Sequence, residues 1–435
     1  SPGEIASKEI YFGFGRSSLR DFSKPCQYKE PKDSLGAHAG FVMKCEKDEV
    51  KIKFGEESSE PFGSRIFQLV GFNVEPTDFA DDVQVDYNRK YFQEFNLRKP
   101  PLMKISLAGI PVYKLPLFNY FNPMIYVKKL VLKDGTVVEA EKIPAFLLNT
   151  YNAKDPNYTD SNFNVANESL VARFVFRPAN IQTKNKKLKS IGAWDFNRLE
   201  KSKRRDLRGM GMLGAWLNWY DARWDNTRLK ILDTENGPQL IHFINDTGSV
   251  LGEASNLLSS ESGEVNRFPW AFTKIFESWE RVYPDREVPL KKVRHLSFKD
   301  FKMAYDDTDP FRDMTYEDAR WMARKIAQIT ERQLTDALVA SGFSSAETKL
   351  FLEKLINRRD KMVVDLELTK EFAPLRAKPV SQKFDYNPEK DGLMSGGPNG
   401  QFSAPARGQT VVNGVCTGCQ TNYPIIVIGR QPQGN

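Results

Sequence analysis

Two short segments hold most of the residues whose types and spacing could do chemistry: Asp221-Ala222-Arg223-Trp224-Asp225-Asn226 and Asn245-Asp246-Thr247-Gly248. An aspartate can accept or orient the proton of an attacking hydroxyl, a role that fits Asp221, and Arg223 two residues later can neutralise phosphoryl charge. Asn226 and Asp246 offer the hard oxygen ligands that Mg²⁺ takes. Gly248 would let the backbone turn sharply after the second ligand. Between the segments lie residues 228–232, an Asn236-Gly237 turn and residues 240–244. That is a β-hairpin pattern, and its open end brings both segments together. Either segment alone is equally an Asp-capped turn or an ordinary acidic hairpin; their joint occurrence across one hairpin is what singles them out.

Anions held near such a site need a cation, and the sequence offers one upstream in Val50-Lys51-Ile52-Lys53-Phe54. Residues 41–44 and 50–54 flank a charged turn at 46–49, which predicts a hairpin. Next comes Ser58-Ser59-Glu60-Pro61, a helix cap with proline in the first turn. Phe62, Ile66, Leu69 and Val70 follow at helical spacing, and Gly71 stops the run. Glu60 therefore sits at the head of a helix that directly follows the lysine strand. Lys51 and Lys53 share one strand face, so alternation cannot separate them; the expected pair is Lys53 with Glu60. Taken alone, both lysines are equally solvent-facing charges on an edge hairpin.

Further elements surround this set. Residues 125–132 and 136–140 flank Asp134-Gly135, a pair suited to a type I′ turn, and residues 171–176 read as a short apolar strand. Residues 184–208 contain ten basic and three acidic side chains, read as a solvated helix face or as a dock for an acidic substrate. Leu207, Met210, Gly214 and Leu217 then line a helix reaching about Trp219. Thr315/Asp318, Thr330/Gln333 and Ser344/Glu347 have the spacing of capping boxes, each before an apolar periodic stretch. Beyond about Glu371 the chain is rich in Pro, Gly, Asn and Gln, apart from a strand-like run at 424–428, and no internal repeat is visible.

Composition limits the alternatives. With 435 residues, 40% hydrophobic and 12% aromatic, the chain can bury enough apolar surface to fold. A net charge of +7 with both signs interspersed predicts no nucleic-acid partner, and no apolar run is long enough to span a membrane. Three histidines argue against His triads and multi-His metal centres. Cys416 and Cys419 form a lone CxxC, read as a local disulfide or plain thiols rather than a zinc site, and four cysteines are too few for a disulfide scaffold. The chain opens on Ser1 rather than Met, read as an N-terminal piece removed either by a signal peptidase or when the protein was made for expression. Compartment stays open between cytoplasm and export, leaning to export.

Three stretches together resemble the protein-kinase-like superfamily. They are Val50 through Glu57 with Ser64 through Phe72, Asp206 through Thr227, and His242 through Gly252; Glu317 through Leu366 adds a helical end. The set is most similar to bacterial kinase-like proteins distantly related to CotH- and HipA-type kinases. The resemblance implies an α+β, bilobal protein-kinase-like fold, with a β-rich N-lobe carrying one key helix (1–178), a mainly helical C-lobe (179–370) and a tail (371–435). It implies ATP with Mg²⁺ or Mn²⁺ as cofactors and transfer of the γ-phosphoryl group to an unidentified hydroxyl acceptor. Asp221 and Arg223 would be catalytic, Lys53 and Glu60 would hold the nucleotide, and Asn226 and Asp246 would hold the metal. Departures from the family pattern are Trp219 and Tyr220 before Asp221, Thr247 between Asp246 and Gly248, the lack of an Ala-Pro-Glu segment after Gly252, and no clean glycine-rich loop before Lys53. A catalytically inactive binding or scaffolding protein, and an adenylyltransferase using the same cleft, are the alternative expectations.

Overall fold

Alternation along residues 48–53 gives the first sheet its two faces. Strands β1 (Gln27–Pro31), β2 (Gly40–Cys45) and β3 (Asp48–Lys53) form an antiparallel meander, continued by β12 (Ala179–Thr183) and β5 (Thr77–Ala80) in the order β1-β2-β3-β12-β5. The computed structural model describes residues 5–13, 19, 22, 24–32, 38–89, 106–107, 110–111, 126–149, 163–183, 187–194, 204–219, 221–222, 226–252, 263, 268, 314–376, 410–412 and 415–417. Phe41, Ile52 and Ile181 are cross-strand partners and make one face apolar; their neighbours Val42, Lys51 and Gln182, with Gly40, Lys53 and Asn180, occupy the other.

The apolar face packs on a second antiparallel sheet, ordered β10 (Val137–Glu139), β9 (Val127–Leu132), β11 (Val171–Phe176) and β6 (Val83–Asp86). Phe176 lies 5.4 Å from Phe41 and 5.5 Å from Phe54 between ring centroids, at the centre of a core that includes Leu130, Phe174, Val83 and Val85. A third sheet runs β13 (Leu188–Gly192), β14 (Thr227–Thr234), β15 (Gly237–Ile244) and β4 (Asn73–Val74). Two short pairs, β7 (Ser106–Leu107) with β8 (Ile110–Pro111) and β16 (Thr410–Val412) with β17 (Val415–Thr417), complete the strands.

The helices α1 (Ser59–Leu69), α4 (Arg205–Leu217), α5 (Tyr316–Ala327), α6 (Glu331–Ala340) and α7 (Ser345–Asp365) share a separate core, whereas α2 (Ile143–Leu147) and α3 (Val165–Leu170) are short connectors. Phe62, Ile66, Phe67 and Leu69 of α1 belong to the helical core, so the helix that follows β3 is anchored among the other helices rather than in the core between the two sheets. The chain is thus mixed α+β with several antiparallel sheets. Among the described residues no helix is long and apolar enough to cross a membrane.

Sequence expectations meet three outcomes here. All three capping boxes form, each with both reciprocal bonds. The β2–β3, β9–β10 and β14–β15 hairpins are present. Three local details differ. Ser58 makes no side-chain cap bond; the preceding turn instead lends its carbonyls, with the Glu60 and Phe62 N–H groups donating to Glu56 O and Ser58 O. The turn at Asp134-Gly135 is not type I′, because only Gly135 has positive φ (90°). The Gly135 N–H donates to Leu132 O and Asp134 accepts from the Thr136 N–H, giving a type I turn closed by a left-handed glycine. Within the basic stretch, 188–192 form strand β13 rather than a helix face. The strand-like run at 424–428 and the side chains of Cys416 and Cys419 lie outside the described residues.

Candidate functional site

Lys53 is the last residue of β3, on the polar face of the first sheet, and 5% exposed. Its ammonium contacts three carboxylates: Glu56 at 2.5 Å, Glu60 at 3.0 Å and Asp246 at 3.2 Å. A strand, a helix and a loop remote in sequence meet at one atom. Of the predicted residues, Lys53, Glu60 and Asp246 are therefore brought together directly. Lys51 points from the same face but makes none of these bonds, which separates the two lysines that alternation left equivalent.

Why the helix can reach the loop is visible in Gly63. A Cβ there would lie 2.3 Å from the Thr247 carbonyl oxygen, so α1 rests its backbone on the 246–248 loop only because this position lacks a side chain. Thr247 is buried and its hydroxyl donates to Glu60 O at 3.5 Å. Gly248 faces a comparable constraint, since a Cβ would lie 2.3 Å from Glu56 Oε2. Its φ is not positive, so the expected sharp turn is not what requires glycine; the approach of Glu56 is.

The second predicted group, Asp221 with Asn226, is bonded to the residues on either side of the 246–248 loop. α4 ends at Asn218, which is left-handed (φ 56°, ψ 44°), and the Trp219 N–H reaches back to Gly214 O at 2.8 Å. Trp219 is fully buried with its ring 5.0 Å from Phe67 of α1, edge to face. This fixes the loop that starts at Asp221. Asn226 donates through Nδ2 to Asp221 Oδ2 at 2.8 Å and to Asp221 O at 2.9 Å, so its Oδ1 is the atom left for a cation. The Asn245 N–H donates to Asn226 O at 2.8 Å, and the Asp221 N–H to Ser249 Oγ at 3.3 Å. The two chemical segments are thereby laced across the open end of the β14–β15 hairpin. Arg223 lies outside the described residues.

Electrostatics sort the carboxylates. Burial pulls the Lys53 ammonium toward neutrality, but Asp246, Glu56 and Glu60 outweigh it and hold its pKa well above the ordinary lysine range. Burial likewise opposes ionisation of Glu56, yet Lys53 and His38 prevail and hold it below the usual carboxylate range. For Glu60, burial together with the negative Asp246 and Glu56 wins over Lys53, and the carboxyl is raised. Glu60 is accordingly the first of the two buried glutamates to accept a proton.

Glu56 and His38 were not singled out from sequence. Glu56 sits 6% exposed in a turn where Gly55 (φ 87°) and Glu56 (φ 57°) are both left-handed, and His38 Nε2 lies 3.5 Å from its Oε2. The available signal was the Gly-Glu-Glu that follows the lysine strand, but an irregular turn carries no periodicity to aim its side chains. Glu56, Glu60 and Asp246 offer ligand atoms all within 4.8 Å of one another. Lys53 stands between them as their counter-charge, so an ion among these three would have to displace the ammonium. Asn226 Oδ1 and the Asp246 carboxylate are hard oxygen groups of the kind a divalent ion takes, and the Asp246 oxygens accept from the Gly248 N–H and from Lys53. In comparison with known proteins, no family model, no curated protein and no solved structure matches this chain.

Proposed function

We propose that this protein is an ATP- and Mg²⁺-dependent phosphotransferase with a kinase-like, bilobal build, moving the γ-phosphoryl group to a hydroxyl acceptor. One observation carries the reading: the Lys53 ammonium joins Glu60 of α1 and Asp246 of the post-hairpin loop in a single ion-paired cluster. That is the constellation in which a strand lysine, oriented by a helix glutamate, faces nucleotide phosphates opposite a metal-binding aspartate. In the reaction the acceptor oxygen forms a bond to the γ-phosphorus, the bond from that phosphorus to the β–γ bridging oxygen breaks, and ADP leaves. Asp221 takes up the hydroxyl proton, and its bond from Asn226 fixes which way its carboxylate points. Lys53, held by Glu60, carries positive charge toward the phosphates. Asn226 and Asp246 would hold Mg²⁺, which supplies charge neutralisation between the phosphoryl oxygens when bound. Most of the catalysis in this scheme is positioning and electrostatics.

A binding protein without turnover is the second reading, and Glu56 favours it: a third carboxylate on Lys53 competes with phosphate for the same ammonium. One set of measurements separates the two. Mg·ATP is expected to raise the thermal midpoint and to be turned over by the wild type, while Asp246→Asn keeps its fold and loses Mg²⁺-dependent turnover. Stabilisation without turnover would select the binder, and equal turnover by both proteins would sink the role of Asp246. Mass gain on the acceptor identifies the group moved, about 80 Da for phosphoryl and about 329 Da for adenylyl.

A further inference from the structure

The polar face of the first sheet carries a second lysine beside Lys53. Lys51 and Lys53 project from the same face of β3, about 7 Å apart along the strand. Lys51 pairs across the ladder with Val42 and Gln182, and Gln182 reaches over to Asn245 O at 3.5 Å, beside Asp246. This face therefore looks onto the loop that carries the candidate metal ligand. Lys32, one residue beyond β1, joins from the strand edge, with its ammonium donating to His38 O at 2.8 Å. It lies close enough to Lys51, Lys53, Asp246 and Glu60 to feel the charge of each. Arg228 at the start of the hairpin adds positive charge near Lys51.

Two lysines lie outside the ion-paired cluster. Glu56, Glu60 and Asp246 are all committed to Lys53. Lys51 makes no hydrogen bond or ion pair among the described residues, and Lys32 meets only a neutral carbonyl. Both are partly buried. Burial lowers the pKa of each, that of Lys32 to about 7; Lys51 and Lys53 lower that of Lys32 further, whereas for Lys51 the negative Glu60 opposes the burial. Partly buried ammonium groups that hold no carboxylate of their own are poorly solvated, and a polyanion placed against them offsets that desolvation.

We propose that Lys32 and Lys51, alongside Lys53, form a cationic rack that receives the phosphate chain of a nucleoside triphosphate, doing with side chains what a glycine-rich loop does with backbone amides. The inference rests on the nucleotide reading above and assigns it two further binding residues. Three features suit a phosphate chain over a single anion: the charges are spaced along a strand, they come from two strands, and they face the loop of Asp246.

Calorimetric titration tests this with three probes, Mg·ATP, Mg·tripolyphosphate and adenosine. They are applied to the wild type, Lys51→Met, Lys32→Met, the charge-keeping Lys51→Arg, and Lys189→Met on exposed β13 as a control. Each Met variant is expected to weaken ATP and tripolyphosphate binding about tenfold or more while leaving adenosine unchanged, with Lys51→Arg retaining most of the affinity. Thermal midpoints verify that each variant is folded. Folded Met variants that bind both phosphate probes like the wild type would overturn the rack, and if they still bind ATP the nucleotide reading survives. Lysine-dependent binding of tripolyphosphate with ATP no tighter would support the rack and overturn the nucleotide reading instead. A wild type that binds neither phosphate probe would overturn both.

Discussion

Gly248 and Glu56 have to be understood as a pair. Glu56 is left-handed at φ 57°, which costs a non-glycine residue roughly 1–2 kcal/mol, and its carboxylate lies directly over the Gly248 Cα. The ion pair with Lys53 and the contact to His38 offset that strain. Gly248→Ala should therefore destabilise the protein by about 1–3 kcal/mol, because the added methyl drives Glu56 away from Lys53. Glu56→Gly removes both the clash and the backbone strain, so Gly248→Ala should be far milder in that background. Urea unfolding of the four proteins in a double-mutant cycle checks the coupling, and strictly additive losses would refute it. At this scale Asp221, Asn226 and Asp246 were legible because fixed spacing about a hairpin announced them. Glu56 was not, since nothing local ties a turn carboxylate to a glycine in a loop so remote in sequence.

Helices show where sequence reading succeeds for a physical reason. The α5, α6 and α7 starts combine a reciprocal capping box with an apolar stripe, two local signals that agree. Strands β4 and β5 had no such signal: β5 is buried along its whole length and β4 has two residues, so neither shows alternation. Strand β12, just beyond the expected lobe boundary at 178, completes the first sheet for the same unreadable reason, that its partners β3 and β5 are far away in sequence. Helix α6 also carries a buried acid. Asp336 pairs with Arg332 at 3.6 Å, yet burial, reinforced by Glu9, outweighs that arginine and pushes its carboxyl up to about 7. A raised carboxyl favours the folded state while protonated, so its contribution is full below about pH 4 and is lost as pH climbs through about 7. Asp336→Asn should leave stability unchanged near pH 4 and raise it by about 1–3 kcal/mol at pH 8. Thermal midpoints across that range decide the matter, and parallel pH curves for the two proteins would rule the explanation out.

At the scale of the molecule, α1 links two apolar cores across a charged seam: its first turn brings Glu60 to Lys53, and its later turns pack in the helical core against α6 and beside β4 and β5. The sheet side has a covalent tie that composition did not suggest. Cys26 and Cys45 form a disulfide across β1 and β2, with a sequence separation of 19, and the Cys26 backbone also bonds to Gln84 and Asp86 at β6. The pairing was hidden because β1 has no apolar alternation to mark it as the neighbour of β2. A loop of this size contributes about 3 kcal/mol by constraining the unfolded chain, so reduction, or Cys26→Ser with Cys45→Ser, should lower unfolding stability by that amount. The loss should also be uneven. Because the disulfide ties β1 to β2, Cys26 is hydrogen-bonded to β6, and none of the helical core is involved, hydrogen exchange should speed up in β1, β2 and β6 while the α5, α6 and α7 amides keep their protection in native conditions. Uniform loss of protection in both halves would mean that the cores open as one unit, and the seam at Lys53 would then couple them more tightly than its handful of ion pairs implies.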